Sequence, residues 1–492
     1  MACRLLFLTF QRNSSWRSSI QTTLTDATTI AYLGMTCCRL HDICQVLVLE
    51  RQLPVLRALA SRGRLLIYKD SSSSMAMKAE ELEDVKEIFQ ASFHKIEYVP
   101  AAFVVEEIAS VHGLLFHANA VGHIALHFDS LPYIFSIAKK KDWGTPLAWL
   151  IRISWEKMAS LTITGSPQSA SKFTPIPKTQ KNEFSIFGRL KDRFFGGGGT
   201  QPNHYGAPER EVPNTGVYFG TPRELKSFEI HSPLPFHEPC FPHTLRVLNG
   251  GYLTKLSLGY TRLRVSDWSN ILPLLSMPLL SEFNLQDSNI NFSDLSAFLL
   301  RHSSITHLDL SCNIPTSGPN LPPAGFLPRL EVISGNPDYL SGLLSRQRHL
   351  FPHLRSVTLT PNPGLGIKYR TLNNIFRNLA DRKRGTIHLS IEFSRQIALT
   401  QWFYNAQSEP CSLDCVKTLD IIRFATPISS DVCDSFFSWV SLFPYVQELD
   451  LRRVVLENPN MWTWRVDELW DSCPELRSVI VGVKTYQRPV DA

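Results

Sequence analysis

The sequence predicts an α/β solenoid: strands that run parallel, one per coil, along a concave face, with helices outside. Three observations carry that prediction. A short skeleton with apolar residues at offsets 0, 3 and 5 returns ten times between Leu225 and Val481. Its steps lie between 24 and 32 residues. The intervals carry helical patterns punctuated by turn residues, so each period holds one strand and one helix.

The skeleton begins with "LKSFEI" at Leu225, "LTKLSL" at Leu253, "LSEFNL" at Leu280 and "ITHLDL" at Ile305. "LEVISG" at Leu330, "LRSVTL" at Leu354 and a weaker "TIHLSI" at Thr386 continue it. "VKTLDI" at Val416, "VQELDL" at Val446 and "LRSVIV" at Leu476 complete the set. If about a third of residues can fill each place, three places coincide by accident at roughly 3% of positions. One match is therefore worthless, and ten at near-constant spacing are not. The repeat is real.

Within "THLDLS", Leu308 and Leu310 alternate with polar neighbours, which is the period of a strand buried on one face. Ile305 enters the same core from the incoming turn. Asn313 is placed to satisfy backbone groups of the next turn, with Asn362 and Asp338 at the same offset after Leu354 and Leu330. "NFSDLSAFLLRHS" reads as a helix capped by Ser293 or Asp294, with Leu295, Phe298 and Leu299 on its apolar side. "SSDVCDSFFSWVSLFP" repeats the plan through Val432, Phe436, Trp439 and Val440, and "WRVDELWDSCP" does so again. No coil of this size hides its own apolar face, so neighbours must stack.

Upstream, "FHKIEY" at Phe93, "VGHIAL" at Val121 and "MASLTI" at Met158 step by 28 and 37 residues. Residues 51–164 are thus expected to hold degenerate repeats, and 222–492 the solenoid proper. Between them, 165–221 is rich in Pro, Gly and Ser with few apolar anchors and reads as a disordered insertion. Its "GGGGT" lacks the Lys-Ser/Thr of a phosphate loop and reads as linker.

The pattern resembles that of the leucine-rich-repeat family, LxxLxLxxN, which "ITHLDLSCN" matches in full and "LRSVTLTPN" closely. The resemblance covers about residues 225–484, and the helix-containing units look most like the ribonuclease-inhibitor-like and F-box-associated subclasses. It implies a leucine-rich-repeat solenoid that binds another macromolecule on its concave face.

Residues 1–50 have another texture. In "LTDATTIAYLGMTCCRLHDICQVLVL", Ile30, Leu33, Leu40 and Ile43 fall at helical spacings. The segment resembles the second half of an F-box through Leu33, Thr36, Cys37, Arg39, Leu40, His41, Asp42 and Ile43. The family's opening helix of the "LPxEILxxIF" kind is not supplied by "LLFLTFQRNSSWRSSI", so either the box is degenerate or its first helix is encoded upstream of Met1. The resemblance implies docking on a Skp-type adaptor through Ile30, Leu33, Cys37, Arg39, Leu40 and Ile43, and thereby a cullin ubiquitin ligase. The chain is expected to be the substrate receptor, akin to the divergent F-box/leucine-rich-repeat proteins of fungi. The alternative is a protein-interaction scaffold whose N-terminal helices only cap the solenoid, since an exposed end must be shielded.

No GxSxG, HExxH, P-loop or dinucleotide fingerprint is present, so an enzyme is not expected. His94, His117, His123 and His127 lie near one another without ligand spacing and are expected to be partly exposed. Cys411 and Cys415 lack a second pair at zinc spacing, so neither metal nor cofactor is expected. The net charge of +6 is spread along the chain, which argues against nucleic acid. No run approaches 18 apolar residues, which argues against a membrane span. The ten cysteines are too sparse for a disulfide scaffold and suit a reducing compartment, cytoplasm or nucleus.

In such a solenoid the polar positions flanking the buried pair line the concave face. The substrate-binding candidates are Glu282, Asn284 and Gln286; His307, Asp309 and Ser311; Ser356 and Thr358; Glu448, Asp450 and Arg452. Lys255, Ser257, Thr360, His388, Ser390 and Glu392 share that pattern. This mixture of signs with small polar groups suits a protein surface better than rows of phosphate.

Overall fold

The computed structural model describes residues 50, 52–72, 75–78, 81, 91–100, 104–129, 144–165, 225–237, 240–311 and 326–344. It continues with 351–361, 369–393, 401–404, 413–424, 430–455 and 462–489. The N-terminal segment that resembles an F-box, with Ile30, Leu33, Cys37, Arg39, Leu40 and Ile43, lies outside them. So do nearly all of the insertion, Asn313 and Asn362. The chain divides into two compact units, with the boundary at Ser160/Leu161 inside one strand.

In the first unit, residues 52–61 form a helix that buries Leu53, Leu56 and Leu59. β1 (Leu65–Tyr68) pairs antiparallel with β2 (Ser92–Tyr98). α1 (Val104–His117) leads to β3 (Ala120–His127), which lies parallel to β2 with Phe93 opposite Val121 and Ile96 opposite Ile124. α2 (Gly144–Lys157) packs on α1 and runs into β4 (Met158–Thr164). Phe93, Ile96, Tyr98, Val121, Ile124, Leu126 and Met158 are all buried, so the upstream skeleton forms strands. His117 is buried rather than partly exposed, its ring edge against Phe116.

The second unit starts in β4 and continues with β5 (Ser227–His231), the end of α3 (Phe241–Leu248, whose residues to Thr244 belong to the first unit), β6 (Lys255–Gly259), α4 (Val265–Ile271) and β7 (Glu282–Gln286). α5 (Phe292–Arg301), β8 (His307–Leu310), β9 (Val332–Gly335), α6 (Pro337–Leu343) and β10 (Ser356–Leu359) follow. Then come α7 (Tyr369–Ala380), β11 (Ile387–Phe393), β12 (Val416–Phe424), α8 (Ser430–Val440) and β13 (Glu448–Leu451). α9 (Trp462–Ser472), β14 (Ser478–Val481) and β15 (Lys484–Gln487) end it. β5 to β14 are hydrogen-bonded in chain order and all parallel, whereas β15 turns back antiparallel on β14. This is a leucine-rich-repeat solenoid: one strand per repeat, with a described helix between most successive strands.

The register shows what the periodicity meant. Phe228, Leu256, Phe283, Leu308, Ile333, Val357, Leu389, Leu419, Leu449 and Val479 stand opposite one another, strand after strand. Each is the offset-3 residue of its unit and each is buried. Helices cover this face: Phe283 meets Phe298 of α5 at 5.0 Å, and Phe393 meets Trp439 of α8 at 6.1 Å, centroid to centroid.

Stacking is locked by a carbonyl at offset 1. Lys226 O accepts from Thr254 N and Lys255 N, Thr254 O from Ser281 N and Glu282 N, and Ser281 O from Thr306 N and His307 N. Side-chain hydroxyls reinforce it. Thr254, Ser281 and Thr306 each donate through the side-chain oxygen to the same carbonyls, at 3.1 Å. The preceding turn is thus satisfied by the neighbouring coil instead of by water.

Two expectations are corrected. α5 is capped by Asn291, whose side chain accepts from Ser293 N at 3.4 Å, not by Ser293 or Asp294. An amide one turn earlier reaches an unsatisfied N–H that neither of the others can meet from inside the helix. Asp338 does not occupy an asparagine-like turn position; it sits in the first turn of α6, where Asn336 is the cap, accepting from Asp338 N at 2.8 Å. The preceding residue explains why this coil departs from the pattern. Gly335 takes the place of an aliphatic at φ +147°, and a Cβ there would lie 2.6 Å from Leu310 O. Only glycine lets the two backbones approach so closely.

Candidate functional site

The polar positions alternate with the buried ladder and therefore share the sheet face that carries no helices. The register brings the sequence-predicted residues into rank. Glu282 stands between Lys255 and His307, Asn284 between Ser257 and Asp309, and Gln286 beside Gly259. Ser356 is opposite Val332 and His388, and Thr358 opposite Ser334 and Ser390. Glu448 is flanked by Thr418 and Ser478, and Asp450 by Asp420 and Ile480.

At the β5–β8 end, Lys255 Nζ lies 3.5 Å from Glu229 Oε1, and Thr162 donates to the same carboxylate at 3.3 Å. Asp309 accepts from both the N–H (3.1 Å) and the hydroxyl (2.7 Å) of Ser311, a closed local loop that fixes its carboxylate. His307 is exposed with its Nδ1 2.9 Å from the Thr306 hydroxyl. Tyr260, 53% exposed and at φ 49°, ends β6, and its ring lies 6.2 Å from that of His231. Burial lowers the His231 pKa against the pull of Glu229.

At the β11–β13 end the groups are more coupled. Ser390 donates to Asp420 at 3.3 Å and lies 3.2 Å from His388 Nε2. Burial, and next the charge of Asp450, raises the Asp420 pKa, opposed by Ser390, His388 and Arg453. Burial works to raise Asp450 as well. There the hydrogen bonds and charge of Arg452, with Arg453 nearby, prevail and hold its carboxyl below the ordinary range. Asp450 is only 7% exposed, so it presents itself through Arg452, which is exposed and clamps it through Nε at 2.8 and 3.0 Å. Arg423 pairs with Glu392 across β11 and β12.

The trio His388–Ser390–Asp420 contains the residue types of a hydrolase but not their order. A nucleophilic serine needs its histidine oriented by the carboxylate; here the serine hydroxyl donates its hydrogen bond to the carboxylate instead. Among the described residues, no group of three His, Cys, Asp or Glu side chains could hold a metal ion. No described helix is long and apolar enough to cross a membrane. The face offers hydrogen bonds, fixed charge and width.

Sequence reasoning found the face positions because strand alternation determines them. It missed the crosslinks Glu229–Lys255 and Glu392–Arg423, which join residues 26 and 31 apart in sequence. The offset-1 hydroxyls were also missed, although Thr and Ser recur there in three successive units.

No protein-family model and no curated protein matches the chain. Among solved structures, the chain is similar to one in the crystal structure of the yeast Rad7 and Elc1 complex, at 12% identity and a TM-score of 0.39. That match covers 92% of this chain and 97% of the other. It is also similar to one in the TLR13–ssRNA13 complex, at 19% identity and a TM-score of 0.28, covering 52% of this chain and 35% of that one.

Proposed function

We propose that the chain is a non-enzymatic recognition subunit that holds a protein partner on the helix-free strand face of the second unit. One observation carries the reading: the polar positions of β5–β13 form continuous rows at strand spacing, immobilised by the buried ladder behind them. Preorganised rows of donors, acceptors and charges are suited to reading another protein surface at low ordering cost. In this reading the F-box-like segment Leu24–Leu49 docks a Skp-type adaptor. A cullin ubiquitin ligase is thereby recruited, and the bound protein becomes its substrate, in cytoplasm or nucleus.

The scaffold alternative gives Leu24–Leu49 a capping role alone. Against it stands the first unit, where antiparallel β1 already pairs along the edge of β2 and the helix before it buries Leu53, Leu56 and Leu59. A reversed strand with buried leucines before it is a cap, so adaptor docking remains the role to assign to Leu24–Leu49.

The test is affinity purification of the full chain from a eukaryotic extract containing a Skp-type adaptor. The expected result is an adaptor and a cullin in the eluate, both lost when residues 24–49 are deleted. Should the full chain bring down no adaptor while remaining folded, the ligase role fails and the scaffold reading stands.

A further inference from the structure

We infer that the strand face of the second unit docks a lysine- and arginine-rich extended segment of its partner, with two basic clusters about six residues apart. This deepens the recognition reading above by naming the chemistry of what is recognised.

Charge placement argues it. The chain as a whole carries +6. On the polar positions of β5–β13 the balance is reversed: Glu229, Glu282, Asp309, Glu392, Asp420, Glu448 and Asp450 outnumber Lys255, Arg423 and Arg452, even with Arg453 beside Asp420 and Asp450. Those three cations are already engaged, with Glu229, Glu392 and Asp450 respectively. Glu282, Asp309, Asp420 and Glu448 stand beyond these pairs. An acidic face on a basic protein attracts cationic partners and repels phosphate chains.

The carboxylates are not evenly spread. One patch occupies β5–β8 (Glu229, Glu282, Asp309) and the other β11–β13 (Glu392, Asp420, Glu448). The strands between present Val332, Ser334, Ser356 and Thr358, none of them charged. From Asp309 on β8 to Asp420 on β12 is four strand intervals, about 19 Å at the usual strand spacing. An extended segment covers that distance in roughly six residues. The neutral middle has hydroxyls for its backbone and no charge to oppose it.

Two local features fit the same ligand. The half-buried Asp420 carboxyl, beside Asp450 across the β12–β13 pairing, gains a further counter-charge from an arriving cation. Tyr260, half-exposed beside His231 near Glu229, offers a ring face to a guanidinium or ammonium group.

Fluorescence anisotropy on the full chain tests the inference, using a labelled peptide of about 14 residues with two Arg-Lys clusters about six residues apart. The controls are the same peptide with glutamates, and one with the clusters adjacent. The expected result is binding of the spaced basic peptide alone, weakening steeply between about 50 mM and 300 mM salt. Glu282→Gln with Asp309→Asn, and separately Asp420→Asn with Glu448→Gln, each weaken it about tenfold. Tyr260→Ala weakens it less, and Glu475→Gln, a loss of charge off this face, leaves it unchanged. The amide replacements retain the hydrogen-bond acceptors, and unchanged thermal melts establish that the variants fold.

Equal binding of the acidic peptide, indifference to the substitutions, or preferential capture of poly(U) RNA overturns the inference. Adaptor co-purification without peptide binding also overturns it and leaves the ligase role standing. Peptide binding without an adaptor supports it and removes the ligase role.

Discussion

The tight repeats β6–β8 and the wide repeats β11–β13 solve one packing problem in two ways. From Leu253 to Leu280 and Ile305 the steps are 27 and 25 residues; from Leu354 to Thr386, Val416 and Val446 they are 32, 30 and 30. In the tight repeats the interior is filled by Trp268 and the Phe283–Phe298 pair. Polar links then tie coil to coil: the hydroxyls at offset 1, and His302. That ring is 2% exposed, lies 2.7 Å from Phe298 O through Nδ1, and accepts from Met277 N at 3.1 Å through Nε2. In the wide repeats the extra residues enlarge the interior, and aromatic rings occupy it. Trp439 is fully buried among Phe376, Phe393, Trp402, Phe403, Phe436 and Phe443, with centroids 4.8 to 6.2 Å away. Repeat length therefore shifts the balance of the core: the short coils add side-chain hydrogen bonds between neighbours, and the long ones add a larger cluster of rings.

The strongest way to break the comparison is Trp439→Ala. Losing the hub of the aromatic cluster leaves a large cavity and costs about 3–5 kcal/mol in denaturant unfolding. Trp439→Phe sharpens it. The indole Nε1 is buried without a hydrogen-bond partner among the described residues, so the smaller ring also removes an unsatisfied donor. The loss is expected below about 1.5 kcal/mol.

Next comes the junction between the two regimes. Gly335→Ala forces a Cβ against Leu310 O in a left-handed backbone and costs about 2–3 kcal/mol, read as a lowered melting temperature. A conservative change on the surface of the same coil costs far less.

His302 gives the tight repeats a pH response that the wide repeats lack at the equivalent place. Burial is the main cause that lowers its pKa, helped by Arg301 and opposed by the hydrogen bond to Phe298. The unfolded ring takes up a proton near pH 6.5 while the folded ring resists it, so its contribution is present above that pH and lost as pH falls. Thermal stability is expected to drop between pH 7 and pH 5, with a smaller drop in His302→Gln. An equal slope in both proteins would remove His302 from the account.

The smallest effects belong to the hydroxyl links. Thr254→Val, Ser281→Ala and Thr306→Val are each expected to cost about 1 kcal/mol, because the carbonyl keeps its two backbone donors. Hydrogen exchange at the amides of Glu282 and His307 should quicken locally without global unfolding.

Much of the architecture was legible before any coordinates. Offsets 0, 3 and 5 in "ITHLDL" and its nine relatives name residues that are buried or nearly so, the exposed Thr386 excepted, because side-chain alternation is a local property of extended chain. The helices around Phe298, Phe436 and Leu469 were readable for the same reason, through their spacing. The rows of the candidate site followed by subtraction: whatever alternates with the ladder must face away from it. Caps were less legible. Asn291 and Asn336 each compete with polar neighbours, and only the direction of the incoming chain selects between them.

What the sequence settled alone was period, strand polarity and the identity of the buried face, since these depend on neighbours two to five residues away. Tertiary structure decided the register between coils, and with it which charges meet. Glu229 reaches Lys255 and Asp420 is left beside Asp450 because parallel strands dock carbonyl to amide at offset 1, whereas Glu392 reaches Arg423 across a register shift between β11 and β12. That docking is a contact between residues some 25 to 30 positions apart, and no local pattern encodes its partner.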